Sequence, residues 1–230
     1  MVFRREKEMT GPARRWLESR RLLTKPEFAT PWGICDLVGV AFDPEKVAAR
    51  LSLRQSRPIG PPLRIGILLK IPDENARRGI TPARLAAHYT GLLSRKQVEH
   101  ELEHLIKGRF VTRNRRGSLR RMNGWMPMHE TLIAVELKLR RVAEALRQAK
   151  ANLYFAEESY VGLPAPVAKA VASGRGKQDF VREGVGILAV YRTKCKIILE
   201  PGRNGTRPDP VTQTHCLERF WRSRPRDSSA

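Results

Sequence analysis

The stretch Glu130-Thr-Leu-Ile-Ala-Val-Glu-Leu-Lys-Leu139 constrains the chain more than any other. Successive side chains of a strand point to opposite faces. Ile133, Val135, Leu137 and Leu139 therefore line one face, and Leu132, Ala134, Glu136 and Lys138 the other. Both faces are apolar until the last residues, the pattern of a strand covered on both sides within an α/β sheet. A carboxylate and an ammonium at the end of such a strand are costly unless something compensates them. A divalent metal and a phosphate would do so.

Trp32-Gly-Ile-Cys-Asp-Leu-Val-Gly-Val-Ala-Phe42 repeats the anomaly. Alternation puts Asp36 on a face with Ile34, Val38 and Val40, a lone carboxylate among apolar neighbours. Read singly, Asp36 is a surface residue of an edge strand. Together the two stretches supply two carboxylates and a lysine, the set needed for metal-assisted phosphodiester hydrolysis.

The 230 residues suit one large domain or two small ones, and a 41% hydrophobic share excludes a wholly disordered chain. A net charge of +21 and a pI near 11.0 attract polyanions, so nucleic acid is the first partner to consider and anionic membrane the weaker one. No run has the length of a transmembrane helix, and Met-Val-Phe-Arg-Arg-Glu-Lys-Glu lacks the apolar core of a signal peptide. Cys35, Cys195 and Cys216 are widely spaced and odd in number, which predicts free thiols in a reducing cytoplasm.

Residues 10–22 read as a helix with Thr10 as N-cap and Pro12 in its first turn. Strands are expected at 23–30, 33–42 and 130–139, then a helix at 141–155, a short strand at Tyr160–Leu163, a helix at Ala165–Ser173 and a strand at Gly184–Tyr191. Omitting the middle, the order αββ–βαβαβ predicts an α/β core with a mixed sheet. The middle, about 60–126, carries three helical segments, around Ile65–Ile71, after Thr81 and after Ser94, then a hairpin with a basic tip at Phe110–Leu119. That order predicts a winged helix-turn-helix inserted into a loop of the core. Arg54–Pro62 and Gly124–Pro127 read as its hinges. Residues 201–230 form a basic C-terminal tail, irregular at first, with Leu217, Phe220 and Trp221 in a short docking helix.

Asp36 on one strand and Glu136-x-Lys138 on the next core strand resemble the active-site motif of the PD-(D/E)XK nuclease superfamily, which includes restriction endonucleases and Holliday-junction resolvases. Gly33-Ile-Cys-Asp-Leu-Val-Gly39 looks like its aspartate strand, although Cys35 stands where the family often has proline. Tyr160–Pro164 and Gly184–Leu188 look like its closing strands. The resemblance covers about 10–42 and 128–192 and implies a restriction endonuclease-like αβββαβ core spanning 10–42 and 128–200. It further implies that Asp36 and Glu136 hold Mg²⁺ or Mn²⁺, and that Lys138 positions the nucleophile or stabilises the phosphate. Gln148, where many members place a glutamine, would orient water; a solvated helix residue is the equal alternative. Glu18 resembles an acidic residue that some members add to the metal site, though an ion pair with nearby arginines is the favoured alternative. Glu27 stays open.

In the inserted module Ser94, Arg95, Lys96 and Gln97 take the groove-reading positions of the second helix of the motif. Arg113, Arg115 and Arg116 on the wing, with Arg120 and Arg121 nearby, would meet phosphate or minor groove. Glu99, Glu101 and Glu103 count against contact along that helix's full length, and His88, His100 and His104 read as surface residues. The expectation is a Mg/Mn-dependent deoxyribonuclease acting on duplex DNA, with a homodimer if both strands are cut. The alternatives are a non-catalytic DNA-binding protein or regulator on a nuclease-like scaffold and, third, an RNA- or ribosome-associated basic protein.

Overall fold

The computed structural model describes residues 3–123, 125, 128–202 and 207–223. In chain order its elements are α1 (Lys7–Ser19), β1 (Leu23–Thr30), β2 (Gly33–Phe42), α2 (Pro44–Ser52), α3 (Pro62–Lys70), α4 (Pro82–Ala87), α5 (Arg95–Lys107), β3 (Val111–Arg113) and β4 (Leu119–Arg121). There follow β5 (His129–Leu137), α6 (Val142–Asn152), β6 (Glu158–Pro164), α7 (Ala165–Ser173), α8 (Lys177–Glu183), β7 (Gly186–Val190), β8 (Cys195–Leu199) and α9 (Pro210–Trp221). The expected hinge at Gly124–Pro127 and the expected irregular stretch after 201 lie partly outside the described residues.

Two compact units result: Met1–Phe42 with Glu130–Gln213, and Asp43–His129 with Thr214–Ala230. The first is an α/β unit built on a six-stranded mixed sheet of order β1-β2-β5-β6-β7-β8. β1 and β2 are antiparallel, β5, β6 and β7 run parallel, and β8 returns antiparallel. Both faces are covered. Ile133, Val135, Leu137, Tyr160, Leu188 and Val190 pack with Met9, Ala13 and Leu17 of α1. On the opposite face Val161, Leu163, Ile187 and Ala189 pack with Ala145 and Ala149 of α6 and Ala168 of α7. The period-two alternation of the strands thus feeds two separate apolar layers.

One local expectation needs correction, and three elements had none. α1 begins at Lys7, so Thr10 is not its N-cap and Pro12 lies inside the helix. An interior proline removes one helix hydrogen bond. The full burial of Met9, Pro12's neighbour Ala13 and Leu17 outweighs that loss. The segment 43–52, which carried no expectation, is helical because Asp43 accepts hydrogen bonds from the amides of Glu45 (3.0 Å) and Lys46 (3.2 Å), with Pro44 at the first helical position. α8 and the edge strand β8 likewise had no counterpart in the periodicity, being short and only partly buried.

The second unit contains α2 to α5, the β3–β4 hairpin and the end of α9 from Thr214. Ile80 adds a single antiparallel bridge to Leu119 beside the hairpin. Ile65, Leu68, Leu85, Val98, Leu102, Leu105 and Phe110 are buried within this unit. Its entry and exit meet, because the Asp43 amide donates to the Met128 carbonyl at 3.0 Å. Arg50 is fully buried and donates to both carboxylate oxygens of Glu218 at 2.6 and 3.1 Å.

Candidate active site

The β1–β2 ladder keeps the same register on either side of Asp36. In the β1–β2 ladder Pro26 pairs with Leu37 and Phe28 with Cys35, while the intervening Glu27 and Asp36 form no pair. Glu27 has φ +48°, a left-handed conformation that an L-residue adopts at a cost. On the far side of β2, the Asp36 side chain takes the backbone donor of the next strand: the Leu137 amide donates to its carboxylate at 2.7 Å. Asp36 is therefore tied to the neighbouring strand and half-buried.

Glu136, one residue before that amide, is 2% exposed. Its Oε1 accepts a 2.7 Å hydrogen bond from Asn152, the last residue of α6, which also reaches Cys35 Sγ at 3.5 Å. The Asp36 and Glu136 carboxyls lie near enough for the Asp36 charge to act on Glu136. Burial, with the Asp36 charge beside it, lifts Glu136 to about 7, and the Asn152 hydrogen bond opposes the rise. Asp36 is also raised, chiefly by burial, against the pull of the Leu137 amide and Lys138. Burial raises the Cys35 thiol well above its ordinary range, so it stays protonated. Two carboxyl groups too close for both to ionise comfortably will hold one proton between them or welcome a cation.

Lys138 directly follows the strand, 9% exposed, with Nζ 3.7 Å from Glu6 Oε2. The other Glu6 oxygen accepts from the Leu139 amide at 3.2 Å. Glu6 sits at the cap position of α1, where the helix dipole favours negative charge. Glu6, Glu27, Asp36 and Leu137 line one cleft of 380 Å³ with Lys7, Thr10 and Pro26. The structure thus brings together Asp36, Glu136 and Lys138, and adds Glu6 and Asn152, which sequence reading missed. Asn152 was visible as a polar residue one turn beyond Gln148; Glu6 had no signal apart from its place just before a helix.

The remaining candidates separate. Glu18 accepts from Arg14 Nε at 2.6 Å and from Thr24 Oγ1 at 3.3 Å, near the opposite end of α1 from Glu6. The ion-pair alternative therefore describes it, and Glu18 is not among the cleft residues. Gln148 Oε1 is buried without a hydrogen-bond partner, and the α6 contact to Glu136 comes from Asn152. In the second unit Ser94 and Gln97 cap one another at the start of α5, with the Ser94 amide donating to Gln97 Oε1 at 2.8 Å. Arg95 pairs with Glu99 at 2.7 Å, and Lys96 is exposed. Arg113, Arg115 and Arg116 are exposed on the hairpin, whose turn is held by amides of Arg116 and Ser118 donating to Asn114 Oδ1. Arg120 instead donates to the carbonyls of Glu74 and Arg77, and Arg121 binds Asn123 and lies 3.8 Å from Asp73. Those two guanidinium groups brace the 73–79 loop, so the wing's outward charge is narrower than the arginine run suggests.

Among the described residues no three or more His, Cys, Asp or Glu side chains group to hold a metal ion. Asp36 and Glu136 still fit Mg²⁺ or Mn²⁺, hard cations that keep several waters and need only one or two protein carboxylates plus phosphate oxygens. The protonated Cys35 does not suit a soft-metal site. The three cysteines are free. No family model, curated protein or solved structure matches the chain.

Proposed function

We propose that this protein is a Mg²⁺- or Mn²⁺-dependent DNA endonuclease with a restriction endonuclease-like core in its first unit and a winged helix in its second. One observation carries the reading: the Asp36 carboxylate accepts the Leu137 amide at 2.7 Å, and its charge helps raise the buried Glu136 carboxyl next to Lys138. Near neutral pH, two neighbouring acids with raised pKa values cost the fold stability when both are charged. Such an arrangement suits a site whose partner is a cation.

Asp36 and Glu136 would hold the ion, Asn152 would fix the Glu136 carboxylate, and the Leu137 amide would fix Asp36. When bound, the ion would lower the pKa of a coordinated water and offset charge developing on the phosphate. Lys138 would supply a fixed cation beside that phosphate, with Glu6 setting the ammonium's position. Ile80's bridge to the β3–β4 hairpin and the three helices α3 to α5 support the winged-helix reading. In it Arg95 and Lys96 would enter the major groove while Arg113, Arg115 and Arg116 contact phosphate.

Supercoiled plasmid incubated with Mg²⁺, with Mn²⁺ and with chelator tests the proposal. Nicking with either ion, abolished by chelator, by Glu136→Gln and by Lys138→Ala, is expected. Binding without nicking on several substrates would leave the non-catalytic, nuclease-like scaffold as the better reading.

A further inference from the structure

A second cleft, of 1320 Å³, opens in the first unit beyond the carboxyl ends of the parallel strands. Leu139 and Arg140 after β5, Pro164 at the end of β6, and Val190 with Tyr191 at the end of β7 all line it. Open α/β sheets place their ligands outside these strand ends. Its volume exceeds the roughly 300–1,000 Å³ of pockets that take one small molecule. Glu6 lines both this cleft and the smaller one containing Asp36, so the two adjoin beside Lys138.

The lining has two characters. Arg4, Arg140, Arg141, Lys169, Arg192 and Lys194 are exposed around it, against the one carboxylate of Glu6. Among the described residues, only Arg141 of these six is paired with a carboxylate, Glu144 at 3.0 Å. Between the cations lie apolar surfaces, with Phe3 under the Arg192 guanidinium (5.6 Å to the ring centroid) and Tyr191 on the adjoining turn. The first turn of α7 adds the positive end of a helix dipole. A wholly electrostatic duplex track has no need of an apolar floor. Cations flanking apolar and aromatic surface match an unpaired strand, whose phosphates meet the rim and whose bases leave water.

We infer that this cleft binds a single-stranded DNA segment leading to the Asp36–Glu136 site, and hence that the favoured substrate is duplex DNA with an unpaired tail or bubble. The inference rests on the nuclease reading for its meaning, but its test does not require cleavage. Full-length protein in chelator is titrated with labelled oligo-dT of about 15 nucleotides, with blunt duplex and with tailed duplex, across a range of salt. Tailed duplex should bind at least tenfold tighter than blunt duplex. Arg140→Ala/Arg192→Ala/Lys194→Ala should remove that preference and flatten the oligo-dT salt slope by about 2.1, at about 0.7 per lost phosphate contact on a single strand. Charge reversal at Lys169 and Lys194 alone should weaken oligo-dT at least tenfold, which keeps the test valid if the triple variant misfolds. Equal affinity for blunt and tailed duplex overturns the inference. So does a triple variant that holds oligo-dT within twofold of wild type, or one that loses only binding to phosphatidylserine vesicles. Failure of plasmid nicking bears on the endonuclease proposal and leaves these binding outcomes readable.

Discussion

Two buried charge clusters in this protein are built on opposite principles. In the second unit Arg50 and Glu218 match one for one, and their spare hydrogen-bonding groups are used: Arg50 also donates to the carbonyls of Gln55 (3.0 Å) and Arg57 (2.9 Å), and Glu218 accepts from the Ile59 amide at 2.6 Å. The Trp221 ring lies 3.9 Å from the guanidinium. In the first unit three carboxyls, Asp36, Glu136 and Glu6, interact with the Lys138 ammonium, and Lys7 and Glu27 also line the cleft. The first cluster is balanced and closed; the second is short of positive charge and opens onto a cleft. Charge balance, more than burial, separates this structural ion pair from the candidate site.

Breaking the balanced cluster should give the largest effect. Glu218→Ala leaves a buried guanidinium unpaired and should cost about 3–5 kcal/mol, read as a lowered urea midpoint. A change below about 1 kcal/mol would remove the contrast. The unbalanced cluster should respond in the opposite sense. Glu136, at about 7 against its ordinary 4.5, holds more protons folded than unfolded between those values. Stability should therefore fall as pH rises from about 4.5 to 7, by up to about 3 kcal/mol without divalent ion. Glu136→Gln should flatten that pH dependence, and Mg²⁺ should raise the melting temperature more at pH 8 than at pH 5.5 in wild type only. Equal melting shifts at both pH values would argue against a cation at this site.

The remaining predictions sharpen the comparison. Arg113→Ala/Arg115→Ala/Arg116→Ala should flatten the slope of log duplex affinity against log salt by up to about 2.7, leaving plasmid nicking at low salt. Asn152→Ala should be the smallest change in stability, about 1 kcal/mol, chiefly from losing its hydrogen bond to Glu136. It should shift the Glu136 titration further upward, which carboxyl infrared or NMR titration would detect.

Much of this was legible in the sequence. β1 and β2 follow the expected 23–30 and 33–42, because apolar alternation and the Thr30–Gly33 turn act locally. Asp36, Glu136 and Lys138 stood out because charge on an otherwise apolar strand violates a rule that every neighbour obeys. The unexpected parts depend on distant partners. Glu6 matters through the Leu139 amide and Lys138, 133 and 132 positions away. Arg50 reads as one more surface arginine of a basic chain until Glu218, Gln55 and Trp221 enclose it. The arginine run at 113–121 misled in the other direction: side chains adjacent in sequence divide between solvent and the 73–79 loop, and composition cannot see that division.

The Arg50–Glu218 pair also orders the folding of the chain in time. Neither unit is contiguous: the strands of the first resume after the second has begun, and the second needs Thr214–Trp221, made after the last strand of the first. During synthesis residues 43–129 emerge with Arg50 lacking its carboxylate, and β2 and β5 must close a long loop to pair. The Asp43–Met128 hydrogen bond shortens that loop once it forms, but the buried guanidinium is neutralised only when Glu218 has been made. Nascent chains stopped shortly before residue 218 should therefore behave as unfinished in their middle, and be held or degraded, although every strand of the sheet has already been translated.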